Sequence, residues 1–114
     1  MSTINNVILV GFVGGDPEIK ETTSGQQIAR FSVATSTYKG VERGEVTEWH
    51  KIVCFGGVAR AVSKFVRTGQ RVGIVGSIEY WSKEDAEGRK VWRTSIVASD
   101  VRFLSTTSDA RGES

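Results

Sequence analysis

Strand-like alternation of apolar and polar residues dominates this chain, and one stretch alone repeats with helical period. Asn6–Val13 is an apolar run rich in β-branched residues, closed by Gly14-Gly15-Asp16-Pro17. The proline pushes Asp16 out of the helical region, so the segment reads as a bend. After a turn at Ser24-Gly25, Ile28–Thr37 alternates, with Ala29, Phe31, Val33 and Thr35 on one face. Tyr38–Glu48 is polar, contains Gly40 and Gly44, and reads as a long loop or a flexible hairpin tip between two strands. Glu48–Phe55 is the third strand, stopped by Gly56-Gly57. Val58–Val66 is the helix, with Val58, Val62, Phe65 and Val66 on one face and Gly69 at the position of a C-cap glycine. Arg71–Trp81 is the fourth strand, with Val72, Ile74 and Ile78 in phase. Lys83–Lys90 is a charged loop, and Val91–Leu104 is the last strand, interrupted by Ser99-Asp100.

Five strands with one helix between the third and fourth match an all-β, five-stranded OB-fold barrel. SH3-like barrels and other small sheets share much of this layout. The length of 114 residues allows one domain, expected over residues 1–104. Residues 105–114 are Ser/Thr-rich and poor in apolar side chains, which predicts a flexible tail. No apolar run is long enough to span a bilayer, and the N-terminus lacks the pattern of a secretory leader, so a cytoplasmic location is expected.

Charge and cysteine content narrow the chemistry. Fifteen basic and thirteen acidic residues leave a net charge of +2, too small to identify a nucleic-acid partner by itself. The single cysteine excludes an internal disulfide and a multi-cysteine zinc site. Side chains four apart on a strand are about 13 Å apart, so His50 and Cys54 cannot form a dyad or share a metal. Cys54 reads as a small buried hydrophobe, and His50 as a hydrogen-bonded structural or interface residue. Gly11 with Gly14-Gly15 lacks the Gly-Lys-Ser/Thr ending of a phosphate loop. No enzyme, metal or cofactor is expected.

The third strand carries the candidate chemistry. Trp49, Lys51, Val53 and Phe55 share one face, and Glu48, His50, Ile52 and Cys54 the other. Rings interleaved with an ammonium group suit single-stranded nucleic acid, with bases stacked on the rings and the cation near phosphate. The same pattern also suits Trp49 and Phe55 as barrel core with Lys51 snorkelling to solvent. Tyr38 beside Lys39, and Tyr80-Trp81 near Lys83, are further candidate platforms at strand ends. Trp92 reads as a packing partner across the Trp81–Trp92 hairpin. Among Arg30, Arg67, Arg71, Arg89 and Arg93, only those beside the aromatics qualify as phosphate contacts.

Several of these segments resemble one family. Asn6–Gly11 followed by Gly14-Gly15-Asp16-Pro17-Glu18, and Ala29–Ser36, are similar to bacterial-type single-stranded DNA-binding proteins. Thr47–Gly56 resembles the family signature Thr-Glu-Trp-His-Arg-Val-Val-x-Phe-Gly almost position for position. Phe65–Gly69, Val72–Ile78 and Arg89–Val97 extend the resemblance over residues 4–104. It implies an OB-fold that binds single-stranded DNA without sequence preference, in replication, recombination and repair, as a homotetramer. It carries stacking roles to Trp49, Phe55 and Trp81, and to Tyr38 where the family usually has tryptophan. It carries phosphate contacts to Lys51 and Arg67, and a subunit contact to His50.

Gly57, Thr68 and Glu79 stand where the family often has basic residues. The family's acidic, hydrophobic-ended tip is not matched by Asp109–Ser114. Either the sequence is truncated, or it is a short phage, plasmid or organelle form; in the second case replication and repair proteins remain possible partners but their recruitment through such a tip is in doubt. The rivals are a primosome-type OB protein bridging replication enzymes and an OB module for protein interaction.

Overall fold

A computed structural model describes residues 2–105. The tail expected over 105–114 lies, beyond Ser105, outside the described residues. The elements are β1 (Val7–Val13), β2 (Glu18–Glu21), β3 (Gln27–Tyr38), β4 (Glu45–Phe55), α1 (Gly56–Phe65), β5 (Arg71–Glu84) and β6 (Lys90–Ser105). Neighbouring strands run β1-β5-β6-β4-β3-β2, and β1 also pairs with β3. That last pairing closes β1, β5, β6, β4 and β3 into a five-stranded barrel. The helix lies between the third and fourth barrel strands, as in an OB-fold.

β2 stands outside the barrel as a short exposed strand on β3. Its sequence, Glu-Ile-Lys-Glu, has too little apolar alternation to announce a strand. Of the two readings of Tyr38–Glu48, the structure has the hairpin tip, and it is shorter than that span, because β3 continues to Tyr38 and β4 starts at Glu45. β5 and β6 likewise run beyond Trp81 and begin before Val91, to Glu84 and from Lys90. The charged segment between them is a tight turn, in which Asp85 Oδ1 accepts from the N–H groups of Glu87 and Arg89, each at 2.9 Å.

The core is built mainly from small and medium aliphatic side chains, with Phe31 as its one ring. Alternation on β3 and β4 turns Ala29, Phe31, Val33, Ile52 and Cys54 inward. Val72, Ile74, Ile96 and Ala98 face them, and Ala59, Val62 and Val66 close one end from the helix and its exit. Burial pushes the Cys54 thiol up to about 12, so it stays neutral. Phe65, placed on the apolar helix face by its spacing, is instead exposed, edge-on to Phe103 with ring centroids 5.8 Å apart. Gly69 is not the helix C-cap. Val66 holds that position, and the Gly69 N–H donates to the Val13 carbonyl at 2.8 Å, tying the helix exit to β1.

Ser99-Asp100 does not interrupt β6. The pairing passes from Val75–Asp100 to Gly76–Ala98 and skips Ser99, which marks a β-bulge. Ser99 Oγ donates to the Val75 carbonyl at 3.1 Å. A side chain at Gly76 would meet the Val97 carbonyl oxygen at 2.1 Å, so this corner requires glycine.

β4 and β6 run parallel and are joined by two residue pairs, Ile52–Ile96 and Val53–Val97. N-terminal to this seam the strands diverge and leave a wedge between them. No helix among the described residues is long and apolar enough to cross a membrane.

Candidate nucleic-acid interface

Directly opposite residues of an antiparallel pair point to the same side. The register of β3 and β4 pairs Tyr38 with Glu45, Ala34 with Trp49, Ser32 with Lys51, Arg30 with Val53 and Ile28 with Phe55. Because Phe31, Val33, Ile52 and Cys54 fill the interior, this other set lies on the outside of the barrel. The two readings of the third predicted strand are thereby separated. Trp49 is 62% exposed and is not core, and Lys51 stands exposed two residues away, about 7 Å along the strand.

A cleft of about 740 Å³ lies between this surface and the β5–β6 hairpin. Trp49, Lys51 and Arg30 line one side, and Trp81, Lys83 and Ser95 the other. Gly14 makes room for the indole of Trp49, since a Cβ there would lie 2.3 Å from Trp49 Cζ3. The Trp81 ring is tethered at its edge, where Nε1 donates to Oγ of the buried Ser95 at 3.1 Å. Indole N–H groups that find such a partner leave the ring face free for stacking.

Asp16 and Glu18 also border the cleft. The Asp16 carboxylate is turned to the helix exit, where it accepts from the Thr68 N–H at 2.9 Å and the Thr68 hydroxyl at 2.8 Å. These bonds hold its carboxyl below the usual 3.8, with the Arg67 charge helping less. A depressed folded-state pKa stabilises the fold above the unfolded value and loses that contribution as pH falls through the folded one. Asp16→Asn is expected to melt below the parent near neutral pH. The gap should close as the pH drops below 3.8, and a gap unchanged down to acid unfolding would contradict this.

The remaining sequence-predicted residues lie around the cleft rather than in it. Phe55 is on the same outer face as Trp49, about 20 Å along the strand, and Tyr38 is exposed at the far end of the β3–β4 hairpin. The Arg67 Nη1 donates to the carbonyls of Ser63 and Val66 at 3.1 and 2.6 Å, answering the free carbonyls of the helix end. His50 is half-buried, its Nε2 2.8 Å from Thr35 Oγ1. Of the arginines held to the condition of lying beside the aromatics, Arg30 lines the cleft and Arg93 pairs across from Trp81. Arg89 is paired with Glu87 in the hairpin turn, and Arg71 sits opposite Phe12.

Trp92 departs from the sequence reading. It lies opposite Ser82, not Trp81, and is 64% exposed, so it is not a packing residue of this chain. Lys83 was marked in the sequence only as the neighbour of Trp81, yet it shares the Trp81 face and lines the cleft. Among the described residues no three His, Cys, Asp or Glu side chains converge to hold a metal.

Residues 4–104 match the family described as Single-strand binding protein family. Single-stranded DNA-binding protein 1 of Xylella fastidiosa (strain 9a5c) is 34% identical over 113 residues, spanning 96% of this chain and 83% of the relative. Its namesake from Chlorobaculum tepidum is 37% identical over 115 positions, spanning 97% of this chain and 71% of the relative. A solved structure described as Plasmodium falciparum SSB complex with ssDNA superposes with a TM-score of 0.84 at 28% identity. It covers 92% of this chain and 98% of its own.

Proposed function

The chain belongs to the single-strand binding protein family, and from that premise we propose that its cleft holds single-stranded DNA by stacking bases on Trp49 and Trp81. It is a DNA-binding protein and not an enzyme, and its general role is to protect exposed strands during replication, recombination and repair. The observation that carries the assignment is the cleft itself, where two exposed indoles are interleaved with Lys51, Lys83 and Arg30. Stacking is indifferent to base identity, because every base presents a π-face, so binding without sequence preference follows. Phe55 and Tyr38 extend the stacking surface along and beyond the outer face of β4. Arg67 joins them only if it leaves the helix carbonyls it now caps.

The reading includes a homotetramer in the cytoplasm. Its support is an apolar row on the outer face of β1, where Ile8, Val10 and Phe12 are all exposed. Contiguous exposed apolar surface of this kind is what subunit contact covers. His50 is retained in the proposal as an assembly residue.

Titration of intrinsic tryptophan fluorescence with oligo-dT tests the assignment. Strong saturable quenching is expected, with log K falling linearly against log salt at about −0.7 per phosphate neutralised on single strands. A folded protein whose tryptophans ignore oligo-dT at low salt would refute the assignment.

A further inference from the structure

The wedge between β4 and β6 is a second cleft, of about 370 Å³, and it opens directly off the first. Trp49, Lys51 and Ser95 line both. Beyond them the wedge is lined by His50, Trp92, Arg93, Thr94 and Ile96. Trp81 and Trp92 point to opposite faces of the β5–β6 hairpin, since Trp81 pairs with Arg93 and Ser82 with Trp92. The wedge therefore offers a chain leaving the first cleft past Trp49 a direct way across the edge of β6 to Trp92.

What surrounds Trp92 suits a nucleic-acid strand. Lys90 Nζ lies 5.8 Å from the Trp92 ring centroid, while Arg93, turned to the Trp81 face, borders the same wedge from the other side of β6. No carboxylate lines the wedge. Glu84, across from Lys90 at the hairpin tip, is the acid that its own ladder turns to this face. Tyr80, exposed and diagonal to Trp92, adds a second ring. An indole this exposed, with one cation at its face and continuous with a stacking cleft, has the composition of a base platform.

We propose that single-stranded DNA continues from the cleft through the β4–β6 wedge and stacks a further base on Trp92. This rests on the reading of the first cleft given above. The predicted signature is a dependence on strand length, because a short oligonucleotide fills the first cleft without reaching Trp92.

The test is fluorescence anisotropy of labelled oligo-dT of increasing length against the full chain and its Trp92→Ala, Trp92→Phe and Trp49→Ala variants. With the shortest oligonucleotide that binds, Trp92→Ala should match the parent. With longer ones the parent should bind roughly five- to a hundredfold more tightly than Trp92→Ala, and Trp92→Phe should keep most of that gain. If Trp92→Ala matches the parent at every length while Trp49→Ala is weakened, the strand does not use the wedge and the first cleft stands. If Trp49→Ala matches the parent as well, the reading of the first cleft fails and this inference with it. If Trp92→Ala lowers the sedimentation coefficient of the DNA-free protein, Trp92 is a contact between copies of the chain and the proposal is overturned.

Discussion

Trp49→Ala is expected to raise the Kd for oligo-dT by roughly five- to over a hundredfold, the equivalent of about 1–3 kcal/mol per lost base stack. The ring lies outside the barrel and contributes nothing to the core, so its removal takes away a binding surface and not a structural one. The melting temperature should accordingly stay close to the parent's, as exposed substitutions usually fall within about 0.5 kcal/mol. Gly14→Val reaches the same deficit indirectly. Its side chain would occupy the space of Trp49 Cζ3 and drive the ring off its seat, while Trp49 itself remains. Anisotropy at fixed salt measures both, and a Trp49→Ala affinity within twofold of the parent would remove Trp49 from the site.

Ile52→Ala should cost about 2–5 kcal/mol of stability, the range for truncating a fully buried aliphatic side chain. Ile52 is completely inaccessible and stands opposite Phe31 on one side and Ile96 on the other. It thus belongs to one of the two residue pairs by which β4 and β6 meet. A cavity there loosens the seam that closes the barrel, and the pairing is too short for neighbours to compensate. For a domain of this size the melting temperature should fall by roughly 10–20 °C. Denaturant or thermal unfolding measures it, and a loss below 1 kcal/mol would show that the seam repacks around the smaller side chain.

The two variants separate what the sequence made legible from what it did not. Alternation along Glu48–Phe55 sorted the residues correctly into two faces, because a strand has no other choice. It could not say which face was inside, since Ile52 and Cys54 on one side and Trp49, Val53 and Phe55 on the other are all apolar. Volume decides the matter. The observed interior, plugged by Val62 and Ala59, holds Ile, Val, Ala and Cys with a single ring, Phe31, and both large rings of β4 stand outside it. The family motif supplied that orientation where periodicity could not.

Trp92 shows a different limit. Whether it packs against Trp81 or points away depends on a single step of hairpin register, which moves every side chain to the other face. That register is set by the Asp85–Arg89 turn, whose hydrogen bonds are invisible in a run of charged residues. β2 and the true position of Gly69 were hidden for a related reason. Both are defined by contacts with distant segments, β3 in one case and the Val13 carbonyl in the other.

The seam between β4 and β6 also governs how the chain reaches its fold. β3–β4 and β5–β6 are hairpins whose partners are close in sequence and can form early. Ile52 and Ile96 must find each other across the helix and the whole of β5, and in parallel orientation. Such high contact order places barrel closure late and overall folding in the millisecond-to-second range typical of all-β topologies. Until the seam closes, the inward faces of both hairpins are open to solvent. A chain still in synthesis holds them apart until β6 has emerged.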